Sequence, residues 1–108
     1  MTKRKRAILY ARSATGEGDA LARQLAECRA WAMAHGYTVT GAYSEVASGL
    51  APTLPEQANA IARAESDGAA LICVDPMRLT RDADRLARII ADCERCGITV
   101  HFVERQRP

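Results

Sequence analysis

The chain of 108 residues is 48% hydrophobic and 26% charged, the balance of one globular domain rather than of a disordered tail or a pair of domains. A net charge of +2 is too small to prescribe a nucleic-acid partner, and no apolar run approaches the roughly 18 residues of a membrane span. The basic start of residues 1–6 (MTKRKR) leads only into a five-residue apolar stretch. That is shorter than the roughly 7–15-residue apolar core of a secretory leader, so a cytoplasmic protein is expected.

Short β-like runs alternate with helical periods along the chain. Residues 7–11 (AILYA) form a continuous apolar run, as in a buried parallel strand. Across 19–35, Leu21, Leu25, Cys28 and Ala32 recur at helical spacing, and Gly36 follows as a C-cap. A second strand is expected over 37–43, with Tyr37, Val39, Gly41 and Tyr43 on one face. The Gly-, Ser- and Pro-bearing stretch 45–55 (EVASGLAPTLP) reads as a loop. Pro55 suits the first turn of a helix reaching Ser66 and stopping at Asp67-Gly68. Residues 69–74 (AALICV) read as a third strand, and 75–81 (DPMRLTR) as a loop or turn. A helix over 82–96 sets Leu86, Ile89, Ile90 and Cys93 on one face and ends at Gly97. A fourth strand over 98–103 precedes a polar tail.

This rhythm predicts an α/β fold: a mainly parallel sheet of at least four strands with helices on both faces. Ligands of such sheets sit beyond the carboxyl ends of the strands, where the strand order reverses. In a 2-1-3-4 order the segments after the first and third strands meet there, and Arg12, Arg78 and Arg81 converge. Arg78 and Arg81 are three apart, one turn of a helix. One reading makes them a solvated helix start with Thr80 as N-cap. The other makes them a phosphate clamp, because two cations at a helix N-terminus oppose its dipole and a bound anion would offset that.

Thirteen of the fifteen basic residues are Arg, whose planar fork of donors fits phosphate oxygens. A compositional bias that also yields 21 Ala explains the same count. Cys93 and Cys96 make a CxxC, but Cys28 and Cys73 are isolated, so the second pair of a zinc ribbon is missing. The CxxC closes a helix instead of opening one, so reduced structural cysteines are expected, with no metal and no cofactor. Gly16-Glu17-Gly18 follows a strand, yet the third glycine of a dinucleotide fingerprint is Leu21, which favours a permissive turn. His35 and His101 lack further ligands, Trp31 and Met33 read as packing, and the basic start reads as a solvated end.

Tyr10-Ala11-Arg12-Ser13-Ala14-Thr15, then Leu21-Ala22-Arg23-Gln24, Gly36-Tyr37, Ala47-Ser48-Gly49 and Met77-Arg78-Leu79-Thr80-Arg81-Asp82 together resemble the catalytic domain of serine recombinases, the resolvases and DNA invertases. The resemblance runs in register over nearly the whole chain. It implies a resolvase-like three-layer fold, DNA as partner, and a site-specific recombination function without metal. In that family a serine hydroxyl attacks a phosphodiester to form a phosphoseryl link, and arginines stabilise the charge. It also implies a homodimer or tetramer for the full-length protein. Residues 1–108 would be a single catalytic domain, without the separate DNA-binding region.

Four positions depart from the family. Its nucleophilic serine falls on Ala14 and the carboxylate before Arg78 falls on Met77. The arginine of its mobile loop falls on Leu54, and the glutamine of its polar loop on Gly18. Arg12, Arg78, Arg81 and Gln24 remain as DNA-binding candidates. Ser13 is the one nearby substitute nucleophile, although alternation along a strand turns it away from Arg12 and Ala14. Two readings follow. In one, Ser13 attacks DNA while Arg12, Arg78 and Arg81 hold the phosphate. In the other, preferred for this chain, a pseudo-recombinase module binds phosphates or partners without chemistry.

Overall fold

The computed structural model describes residues 5–16 and 18–106, so Lys3 and Arg4 of the basic start and Glu17 of the polar loop lie outside the described residues. Strand β1 (Lys5–Ser13) leads to helix α1 (Ala20–Ala34), strand β2 (Tyr37–Val46) and helix α2 (Pro55–Asp67). Strand β3 (Ala70–Cys73), a 3-10 turn (Pro76–Arg78), helix α3 (Ala83–Arg95) and strand β4 (Val100–Phe102) follow, and a second 3-10 turn (Val103–Gln106) closes the described chain. All neighbouring strands pair in parallel, in the order β2-β1-β3-β4. That is the predicted order, and it places the ends of β1 and β3 side by side.

Two apolar layers sandwich the sheet. Ile8, Tyr10, Leu71 and Cys73 pack with Ala60 and Ala64 of α2 and with Cys93 of α3. Ala7, Leu9, Ile72 and Val74 pack with Cys28 and Ala32 of α1. Burial of these side chains contributes roughly 1.5–3 kcal/mol for each large one. Because β1 is covered on both faces, it is apolar at every position from Ala7 to Ala11, all fully buried.

Most elements match the periodicity to within two or three residues, with three informative exceptions. Thr80 does not cap α3. Its hydroxyl donates to the Gly49 carbonyl and accepts from the Asp82 amide. Asp82 is the N-cap, taking the Asp84 and Arg85 amides, and Asp84 adds a second acid to the first turn. Two carboxylates thus answer the dipole that Arg78 and Arg81 had been expected to oppose.

The second exception is the face of β2. Val39 pairs with Ala7 but Gly41 pairs with Ile8, so Thr40 is an extra residue, a β-bulge. Tyr37 and Val39 therefore pack on the α1 side while Tyr43 packs on the α2 side. The single apolar face expected from Tyr37 to Tyr43 is divided at that point. The third exception is length: β2 runs on to Val46 and draws Glu45 out of the expected loop into the sheet.

No helix among the described residues is long and apolar enough to cross a membrane.

Candidate functional site

The carboxyl ends of β1 and β3 carry Arg12 and the 3-10 turn with Arg78, and Arg81 follows just before α3. Arg12 is 2% exposed. Its guanidinium donates from Nε to the Arg78 carbonyl at 3.1 Å and from Nη1 to the Ala47 carbonyl at 2.9 Å. Nη2 donates to the Met77 carbonyl. Burial lowers its pKa, while the nearby Tyr10 and Asp75 push the other way and Arg78 and Arg81 add to the lowering. An arginine remains charged under such pressure. Three guanidinium groups are therefore gathered at one edge of the sheet, as the strand order required.

The other two arginines are more open. Arg78 Nη1 donates to the Arg12 carbonyl at 3.2 Å, which closes a reciprocal link between the turn and the end of β1. Its Nε lies 3.5 Å from Asp75 Oδ2, an ion pair without hydrogen-bond alignment. Both Arg78 Nε and the second oxygen, Asp75 Oδ1, are buried with no hydrogen-bond partner. Arg81 is exposed; its backbone amide donates to the Gly49 carbonyl at 3.0 Å, and its side-chain stem lies against Gly49.

Gln24 on α1 serves the backbone of Arg12. Its Oε1 accepts the Arg12 amide at 3.3 Å and its Nε2 donates to the Arg12 carbonyl at 3.0 Å. It is buried, and it presents no group to the surface of the arginine cluster. Arg12, Arg78, Arg81 and Gln24 are thus brought together, with Gln24 behind the others.

Ser13 lies elsewhere. Arg12 continues the face of Ile8 and Tyr10, whereas Ser13 continues that of Ala7 and Leu9. Its hydroxyl donates to the Thr15 carbonyl at 2.7 Å. It lines a cavity of about 380 Å³ with Thr15, Gly16, Gly18, Leu21 and Val46, on the α1 side of the sheet. Ala14 is exposed at the bend that follows β1.

A second carboxylate network, not foreseen from the residue pattern, supports this edge. The Tyr10 hydroxyl donates to Glu45 Oε2 at 2.5 Å. The same carboxylate accepts the amides of Glu56 at 3.2 Å and Gln57 at 3.0 Å. It caps α2, whose own N-cap position is Leu54 and supplies no side-chain bond. Gln57 Nε2 in turn donates to the Leu79 carbonyl at 2.6 Å. Burial and the Glu45 carboxylate raise the Tyr10 pKa far above its ordinary value, so the phenol stays a donor. The available signal was the lone acid at the head of a Gly/Pro loop, followed ten residues later by a helix with no polar N-cap.

Cys28, Cys73 and Cys93 are buried and Cys96 is exposed, all as free thiols. Burial pushes the Cys28 thiol up to about 12 and Cys73 well above its ordinary value. Among the described residues no three His, Cys, Asp or Glu side chains are grouped to hold a metal.

Comparison with known proteins matches this arrangement. Residues 7–108 fit the family described as the resolvase N-terminal domain. Among solved structures, the chain is similar to the C-terminal catalytic domain of ISC1926 TnpA, an IS607-like serine recombinase, at 25% identity and a TM-score of 0.83. That alignment covers 92% of this chain and 70% of the other. It is similar in fold to the N-terminal catalytic domain of TP901-1 integrase, at 20% identity and a TM-score of 0.80, covering 94% of this chain and 78% of that one. It is likewise similar in fold to a resolvase family site-specific recombinase from Streptococcus pneumoniae, at 19% identity and a TM-score of 0.79, covering 95% and 74%. No curated protein matches. The sheet order and a family match over residues 7–108 agree: the chain belongs to the resolvase N-terminal domain family.

Proposed function

We propose that this site-specific recombination domain engages DNA through phosphate contacts at the Arg78–Arg81 edge and does not itself form the covalent serine link. One observation supports the reading above the others. The arginine cluster is intact, while the nearest hydroxyl, that of Ser13, is on the opposite face and bonded to the Thr15 carbonyl. Nucleophilic attack requires reacting atoms about 3–3.5 Å apart, and a hydroxyl separated from the cations by the sheet does not meet that condition. Arg78 and Arg81 offer forked donors suited to a phosphodiester's oxygens. In this reading the full-length protein acts in the cytoplasm on DNA as a homodimer or tetramer.

The test is binding and cleavage on the same DNA. Binding to a duplex should weaken with salt, and the slope should fall by about one unit for each phosphate contact removed in Arg78→Ala or Arg81→Ala. On a nicked substrate that traps cleaved intermediates, no covalent protein–DNA adduct should accumulate. Binding indifferent to salt and to both substitutions rejects the phosphate reading. An adduct that disappears in Ser13→Ala restores the enzymatic one.

A further inference from the structure

We propose that Asp75 is a positioning residue, which holds the Arg78 guanidinium in the orientation that meets a DNA phosphate. The inference rests on the phosphate reading above and adds a residue to which that reading assigns no role.

The backbone sets the pair up. Asp75 is extended, at φ −151° and ψ 166°, and Pro76 opens the 3-10 turn behind it. The Asp75 carbonyl accepts the Arg78 amide at 3.2 Å. Residues three apart eclipse in such a turn, so the two side chains stand on one side of it. The turn is anchored at both ends. The Val74 carbonyl accepts the Glu104 amide at 2.9 Å, and Arg12 Nε donates to the Arg78 carbonyl at 3.1 Å. Met77, next to Arg78, is exposed and apolar, so the negative charge over residues 75–78 is that of Asp75.

The Arg78 guanidinium is held through two of its nitrogens. Nε lies 3.5 Å from Asp75 Oδ2, and Nη1 donates to the Arg12 carbonyl at 3.2 Å. Nη2 makes no hydrogen bond among the described residues and is the nitrogen left for an incoming anion. The side chains of Arg78 and Asp75 are 35% and 19% exposed, so solvent screens their attraction less than that of a surface pair. Arg78 Nε and Asp75 Oδ1 are both buried without a hydrogen-bond partner. With no acceptor bonded to Nε, the charge of the carboxylate is what restrains that end of the guanidinium. Arg12 and Arg81 have no ion pair among the described residues, so within the cluster this restraint is particular to Arg78.

Coulomb attraction alone has the opposite sign. Asp75 is negative and stands beside a site for a negative ligand, so removing its charge should strengthen DNA binding. A positioning role reverses this. Without the carboxylate Arg78 samples other rotamers, and affinity falls with the fraction of molecules still aimed.

Binding of a short mixed-sequence duplex to the full chain separates the two. Asp75→Asn keeps the shape and removes the charge; once shown to be folded, it should bind about threefold more weakly or worse. In an Arg78→Ala background the same substitution should leave binding unchanged or tighten it. If Asp75→Asn binds as tightly as the wild type or tighter, the positioning role falls alone. An equal loss in both backgrounds also overturns it, since that marks a general effect on the fold. Should Asp75→Asn not fold, the Nε–H signals of Arg78 and Arg81 in NMR spectra of the wild type decide. The Arg78 proton should exchange with water more slowly, and equal rates overturn the proposal. If Arg78→Ala alone does not weaken binding, the phosphate reading fails at Arg78 and this one fails with it.

Discussion

The Glu45 carboxylate of β2 accepts the Tyr10 hydroxyl at 2.5 Å while receiving the first free amides of α2. One side chain thereby ties two strands to the start of a helix. Glu45→Ala removes a charged cap and strands a buried phenol, which should cost about 1–3 kcal/mol. Glu45→Gln keeps an accepting oxygen and should cost less. Urea unfolding of the three proteins checks the order wild type, Gln, Ala.

Arg12 should behave as a structural residue as well as a binding one. Its guanidinium serves three carbonyls on two segments. Arg12→Met leaves those carbonyls unpaired and should destabilise by about 2–4 kcal/mol. Arg12→Lys, with a single ammonium in place of a fork, should recover only part of this. Arg81→Ala, whose side-chain nitrogens make none of these bonds, should leave the unfolding midpoint nearly unchanged while weakening DNA binding. A common loss of stability in all three would contradict the division of labour.

Acid should loosen the α1 side of the sheet. His101 sits 2.9 Å from the Tyr37 hydroxyl and its ring lies 4.9 Å from that of Trp31. Burial, then the nearby His35 and Lys5, lower its pKa below the ordinary 6.5. The neutral ring is favoured in the fold, so its contribution is fully present above about pH 6.5 and is lost as pH falls through the lowered folded value. Unfolding midpoints between pH 7.5 and 5 should fall for the wild type. The fall should be smaller in His101→Phe.

Thiol chemistry should be confined to one position. Burial holds Cys28 near 12, with Cys73 and Cys93 also raised. Cys96 is exposed, though its bond to Glu65, ahead of other causes, raises it too. Since the thiolate is the reactive form, iodoacetamide at pH 8 should label Cys96 first and slowly, with the other three reacting only on unfolding. Mass mapping of the labelled peptides decides.

Strand order and the meeting of three arginines were legible in the residues because alternation of apolar runs with helical periods leaves few parallel topologies. The roles inside the cluster were not. Side-chain types announce that Arg12 can bind an anion; they do not announce that the carbonyls of Ala47, Met77 and Arg78 arrive at the same point. Glu45 was hidden for a related reason, since apart from the Tyr10 hydroxyl its partners are backbone amides, left free for it only where α2 starts. The turn away of Ser13 followed from simple alternation because β1 has regular pairing at its carboxyl end. Tyr43 defeated the same rule because β2 does not.

That irregularity at Thr40 reaches further than its own position. The inserted residue is clasped from α2, its hydroxyl on Asp67 and its carbonyl on Arg63. Everything downstream on β2 is thereby turned over, so that Glu45 comes up beneath α2 and Val46 beside α1. The half-turn that arms one end of the ribbon is set five residues upstream, by a polar residue with no chemistry of its own. Shortening the strand by that one residue would leave its composition almost untouched and yet send the Glu45 carboxylate to the wrong layer of the protein.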